Sequence, residues 1–177
     1  MNSLADLSAD RTAIIDTSLE RVDTSAPASG DAPVGRLLLA TDLSSVSAQA
    51  TDRAIELARR HGAELIVLTV ADPGRLRLPG GKFLRRIDQE RSRLEAGAQE
   101  LVARARAAGA RATFLVWEGD PAESILEAAD SEMADMIILG SHGRGVIGRL
   151  VLGSISARVS EAARCRVLIV GAKAPEA

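Results

Sequence analysis

The sequence predicts one doubly wound α/β domain, a five-stranded parallel sheet with helices on both faces. Three observations carry that expectation. Five short apolar runs are nearly continuous, as strands buried on both faces are. Segments of helical periodicity separate them, and regular alternation of strand and helix requires right-handed crossovers and a parallel sheet. A chain of 177 residues has room for one full hydrophobic core and not comfortably for two.

From Met1 to Pro33 the chain is rich in Ser, Asp, Ala and Thr and reads as a flexible tail. Ile15, Leu19 and Val22 stand at helical spacing within it, which offers a short docking helix as the alternative. The domain is expected over residues 34–173, with a tail at 174–177. Its strands are read at Leu37 to Ala40, Leu65 to Val70, Thr113 to Trp117, Met136 to Leu139 and Val167 to Val170.

The first helix shows Val46, Ala50, Ala54 and Leu57 on one face, and the second shows Phe83, Ile87, Leu94, Ala98, Leu101 and Ala105. Gly62 and Gly109 are placed to end these helices as C-terminal caps. Asp120, Pro121 and Glu123 are a start signal for the third helix: a cap, a first-position proline and an acid at the capping-box position. Its buried face is Ile125, Leu126 and Ala129. The last helix begins near Ser154, with Ile155, Val159 and Ala162 inward and Arg158, Glu161 and Arg164 outward.

Composition narrows the function classes. The chain is 46% hydrophobic but only 2% aromatic, so its core is aliphatic. A formal net charge of −2 gives no general attraction to nucleic acid or an anionic membrane, so binding requires a local site. Cys165 stands alone, so no intramolecular disulfide forms, and with two histidines it does not make a structural zinc site. No apolar stretch approaches the roughly 20 residues of a membrane span, and no signal peptide opens the chain. A cytoplasmic location is the expectation.

In a doubly wound sheet, ligands bind beyond the carboxyl ends of the strands where the winding reverses. That directs attention to Thr41 and Asp42, Val70 to Asp72, Glu118 to Asp120 and Gly140 to Ser154. The last stretch is glycine-rich. Gly140 and Gly143 leave a strand and permit close backbone approach to a phosphate or ribose, while Gly153 and Ser154 lie at a helix N-terminus, where unpaired N–H groups favour an anion. Gly143, Gly145 and Gly148 spell G-x-G-x-x-G, but no helix starts there and no acid follows at ribose-binding distance, so a dinucleotide fold is a poor fit. Gly80-Gly81-Lys82 fails as a P-loop because Phe83 replaces the required Ser or Thr.

Gly140, two residues, Gly143, nine residues and Gly153-Ser154 match the G-x2-G-x9-G-S/T pattern, and here the chain resembles the ATP-binding universal stress proteins. Ala40-Thr41-Asp42-Leu43-Ser44 and Gly119-Asp120-Pro121-Ala122 are similar to other parts of that family, so the resemblance spans the body and omits the N-terminal tail. It implies a Rossmann-like, adenine-nucleotide-binding fold with ATP as cofactor. Thr41, Asp42 and Val70 would sit at adenine and ribose, Val70 through its backbone, and Gly140 near ribose and phosphates. Gly143, Gly153, Ser154 and the Ile155 N–H would hold the phosphates, Arg144 and Arg149 are candidate phosphate contacts, and Asp42 is a candidate Mg²⁺ ligand through the nucleotide.

The resemblance also implies a stress-response regulator that is a homodimer through the edge at Val167 to Gly171, where a bare strand edge would seek cover. The alternatives are a slow ATPase and a nucleotide-free interaction module. An ATPase needs a group to orient water and positive charge on the leaving phosphate, for which the chain offers Asp42 and loop arginines. Asp42 has a competing role as cap of the first helix, which Ser44 fills equally well. His142 reads as a steric or hydrogen-bonding residue ahead of a general acid-base one, the basic run from Arg75 to Arg93 as a solvated face ahead of a phosphate flap or partner surface, Trp117 as core and Cys165 as a small buried hydrophobe.

Overall fold

The computed structural model describes residues 13–16, 34–76, 83–141 and 153–171. Its central strand, β2 (Arg36–Ala40), holds three consecutive leucines, Leu37, Leu38 and Leu39, each exposed by 1% or less. Successive side chains of a strand point to opposite faces, so an unbroken leucine run is stable only where both faces are covered. Each such burial contributes roughly 1.5–3 kcal/mol. Leu37 and Leu39 face one core with α1 (Ala48–His61) and α2 (Phe83–Ala107). Leu38 and Ala40 face a second with α3 (Pro121–Ser131) and α4 (Ser154–Ala162).

The other expected strands are present as β3 (Glu64–Ala71), β4 (Arg111–Glu118), β5 (Met136–Gly140) and β6 (Arg166–Val170). A further strand, β1 (Ala13–Asp16), brings the sheet to six in the order β1-β6-β5-β2-β3-β4, with every pairing parallel. β2 is hydrogen-bonded to β3 on one side and β5 on the other, with Leu38 opposite both Ile66 and Ile137. The chain therefore winds outward from β2 through β3 to β4 and then resumes at β5 on the opposite side. The crevice between the carboxyl ends of β2 and β5 is the topological switch point.

Helix boundaries follow the local chemistry. Gly62 adopts φ 63° after α1 and Gly109 φ 88° after α2, the left-handed conformation that favours glycine at a helix end. Asp120 caps α3, its Oδ1 accepting from the Glu123 N–H at 3.0 Å, with Pro121 in the first turn.

Four expectations need correction. Val46 lies in a 3₁₀ turn (Ser45–Ser47) ahead of α1 and is 37% exposed, so the buried stripe of that helix is Ala50, Thr51, Ala54, Ile55 and Ala58. In α4 the inward residue is Ala163, beyond the last turn, and Ala162 is exposed. Ala13–Asp16 is extended, neither tail nor helix, because the β-branched pair Ile14-Ile15 suits a strand and the apolar β6 offers the pairing; Leu19 and Val22 lie outside the described residues. Finally, the edge at Val167 to Gly171 is not bare. β1 covers it in register, Ala13 opposite Val167 and Asp16 opposite Val170, and the sheet edges are β1 and β4.

Among the described residues no helix is long and apolar enough to cross a membrane. Because β1 covers the apolar run Val167–Val170 of β6, deleting residues 1–33 leaves that strand with unpaired N–H and C=O groups. The truncated chain is expected to self-associate with concentration in light scattering where the full chain does so less; equal behaviour of the two would show that β1 does not protect this edge.

Candidate functional site

The site is built from the residues that follow β2. The Thr41 N–H donates to the Leu68 carbonyl at 3.0 Å, extending the β2–β3 ladder by one bond. The chain then turns. The Leu43 N–H donates to Thr41 Oγ1 and the Ser44 N–H to Asp42 Oδ1, each at 3.0 Å, two side-chain-to-backbone bonds of the Ser/Thr and Asx turn kind. The Thr41 hydroxyl also bonds the Ser47 hydroxyl at 3.0 Å. Ser44 caps the 3₁₀ turn, its Oγ accepting from the Ser47 N–H. Capping is therefore the work of Ser44, and the Asp42 carboxylate lies at the crevice. Leu43 has φ 59°, a conformation costing a leucine about 1–2 kcal/mol.

The opposite wall comes from β5 and α4. The Gly140 carbonyl accepts from the Ser156 hydroxyl at 2.9 Å, and the Gly153 N–H donates to the Ser141 carbonyl at 2.8 Å. The second bond draws together the two ends of the segment 142–152. Gly153 is the cap residue of α4, with φ −62° and ψ 153°, and it offers no side chain to the first-turn N–H groups. These groups and the helix dipole favour a negatively charged partner.

Between these walls lies a cavity of about 310 Å³, at the lower end of the range for small-molecule sites. Thr41, Asp42, Val70, Gly140 and Ile155, candidate nucleotide contacts in the sequence, line it. Gly153 and Ser154 stand at the adjoining helix start. Gly143, Arg144, Arg149 and His142 lie outside the described residues. Further lining residues were not named as site residues, Ser47, Ile125 and Ser156 among them; Glu90, Arg93 and Leu94 stand together on α2, Arg93 having entered only as the end of the basic run. They recur at helical spacing on one stripe, the available signal, but only the packing of α2 over the sheet shows that the stripe meets the crevice.

Arg93 is held by Glu90 through Nε and Nη2, at 2.9 and 2.6 Å. The Glu90 carboxylate, and more weakly the charge of Asp42, push the guanidinium above its ordinary range. Among the described lining residues the acids are Asp42, Asp72 and Glu90 and the only cation is Arg93, so anion attraction from the described wall comes from Arg93 and backbone amides. Among the described residues no group of three or more His, Cys, Asp or Glu could hold a metal. Cys165 is half-buried away from the crevice, and desolvation pushes its thiol up.

The helices bordering the cavity are tied together at its rim. Arg158 of α4 donates to Asp120 Oδ2 at 3.0 Å and lies 3.6 Å from Glu123. The Glu123 N–H, then Arg158, hold the Asp120 carboxyl below its usual range. A depressed folded value means this contribution is whole above the ordinary aspartate range and is lost as pH falls through the folded value. Both partners are substantially exposed, so the ion pair itself adds little and the cap carries the effect. Asp120→Ala is expected to cost about 1 kcal/mol in urea unfolding at pH 7 and progressively less below pH 4; an undiminished loss at pH 2.5 would contradict the cap assignment.

A doubly wound sheet with a partly apolar cavity of small-molecule size at its switch point, bounded by a helix N-terminus, defines the class of α/β domain to which the chain conforms. The chain belongs to the Universal stress protein family, whose profile matches residues 33–171. It is 37% identical over 134 residues to a universal stress protein of Thermus aquaticus, the one in the QAH/OAS sulfhydrylase 3' region, covering 76% of this chain and 96% of that one. The solved structure of the universal stress protein UspA from Lactobacillus plantarum superposes with a TM-score of 0.72 at 24% identity, over 78% of this chain and 99% of the other. A crystal structure of a universal stress protein in complex with cAMP superposes with a TM-score of 0.61 at 30% identity, over 78% and 98% of the two chains.

Proposed function

We propose that this chain binds ATP in the switch-point cavity and acts as a nucleotide-dependent regulator in the stress response. The observation that carries the reading is the convergence, at one end of the sheet, of Asp42, the β5 end at Gly140 and a helix start whose cap residue has no side chain. A carboxylate accepts from hydroxyl or amine groups, whereas helix-start amides bind oxyanions. A ligand with a sugar and base at one end and phosphates at the other meets both demands. The cAMP complex of a relative supports an adenine nucleotide as the ligand class.

On this reading Thr41 shapes the turn, Asp42 and the Val70 backbone meet adenine and ribose, and Gly140 lies near ribose and phosphate. The N–H groups of Gly153, Ser154 and Ile155 hold phosphate, with Gly143, Arg144 and Arg149 assigned to the same end. A single carboxylate does not make a metal site, so Asp42 would meet Mg²⁺ only together with nucleotide oxygens. The protein is placed in the cytoplasm. A homodimer through Val167 to Gly171 requires β1 to leave that edge first.

The test is to identify nucleotide released on denaturing the purified protein and to titrate MgATP, with turnover followed in the same samples. At a hundredfold excess over Kd, MgATP should stabilise the protein by about 2.7 kcal/mol, raising Tm by roughly 5–10 °C for a domain of this size. Gly143→Val is expected to abolish binding while leaving the apo transition nearly unchanged. Absence of nucleotide and of any MgATP shift in the native protein would favour a nucleotide-free interaction module, and wild-type affinity in Gly143→Val would sink the phosphate cradle.

A further inference from the structure

α2 is a helix of 25 residues with a glycine, Gly97, in its interior. Glycine there weakens a helix relative to alanine, so its presence requires a reason. Gly97 continues the stripe of Glu90, Arg93 and Leu94 that reaches the cavity, standing one turn beyond Arg93 and Leu94. A Cβ built on Gly97 would lie 2.5 Å from Leu43 Cδ1, with Cγ at 3.6 Å and Cδ2 at 3.8 Å. The side chain of Leu43 thus occupies a notch that exists only because residue 97 has no side chain. Leu43 is the non-glycine residue held at φ 59° between Asp42 and Ser44, and it packs against the core shared by α1 and α2.

We propose that the Leu43–Gly97 contact is a positioning device that holds the Asp42 turn in its binding geometry. This rests on the nucleotide reading above. The turn combines a costly backbone conformation with two short-range bonds, Leu43 N–H to Thr41 Oγ1 and Ser44 N–H to Asp42 Oδ1. Local bonds of this kind compete poorly with water when the backbone is strained. An apolar side chain seated in a fitted notch supplies the offset, and its direction fixes that of the preceding carboxylate. Gly97 is not itself among the residues that line the cavity, and the side chain that a Cβ there would meet is that of Leu43.

The geometry provides a clean probe. Cδ1 is the tip of a flexible side chain, so Gly97→Ala is accommodated by evicting Leu43 without deforming the helix, and alanine improves the helix. Gly97→Ala is expected to change Tm little, the gain in helix propensity offsetting the lost seating of Leu43, to weaken MgATP binding at least tenfold, and to speed hydrogen exchange of the Leu43 and Ser44 amides in the unliganded protein. Leu43→Ala, which empties the notch from the other side, should lose a similar factor. The double variant should bind no worse than the weaker single variant, because both act through one contact.

Additive losses, wild-type affinity in Gly97→Ala, or unchanged exchange of the two amides would each overturn the proposal. If the native protein binds no nucleotide, the functional reading fails separately, and the exchange rates still decide whether the contact holds the turn.

Discussion

The structure depends on a single constraint, the burial of Leu37, Leu38 and Leu39 of β2 on both faces and along both edges. A strand carrying three adjacent leucines has no exposed alternative, so helices must cover each face and a parallel neighbour must pair each side. Meeting that demand with one continuous chain forces the winding to reverse beside β2. The reversal leaves two loops diverging from adjacent strand ends, and the gap between them is the cavity. The site is thus a by-product of burying Leu37, Leu38 and Leu39, placed where the fold has no other way to close.

Chemistry is added to that gap by elements whose own stability does not depend on a ligand. The turn after β2 satisfies its amides internally through Thr41, Asp42, Ser44 and Ser47. α3 and α4 are joined at the rim by Asp120 and Arg158 and pack together over the second core. A scaffold with its polar groups already paired offers a binding geometry that is formed in advance, which reduces the ordering cost of association.

Much of this was legible in the sequence because the strongest signals were local. Nearly continuous apolar runs marked five of the six strands, and Asp120-Pro121 and Gly62 marked helix ends through their own chemistry. What escaped depended on neighbours distant in the chain. β1 is only four residues long and owes its conformation to β6, some 150 positions away. Val46 was misplaced because a 3₁₀ turn delays α1. The cavity-lining stripe of α2 has an ordinary amphipathic appearance until the helix is laid over the sheet, and no local rule places a leucine in the left-handed region. Asp42 and Gly140 were named from spacing and family resemblance, whereas the turn that holds Leu43 at φ 59° was not.

The bond from the Gly153 N–H to the Ser141 carbonyl has a consequence for how such a domain can diverge. Both partners are main-chain atoms, so the pin at the base of residues 142–152 is indifferent to the side chains strung between its ends. Substitutions at either partner that keep its backbone in place keep the bond, so the junction of β5 with α4 can hold its form while the side chains there diverge.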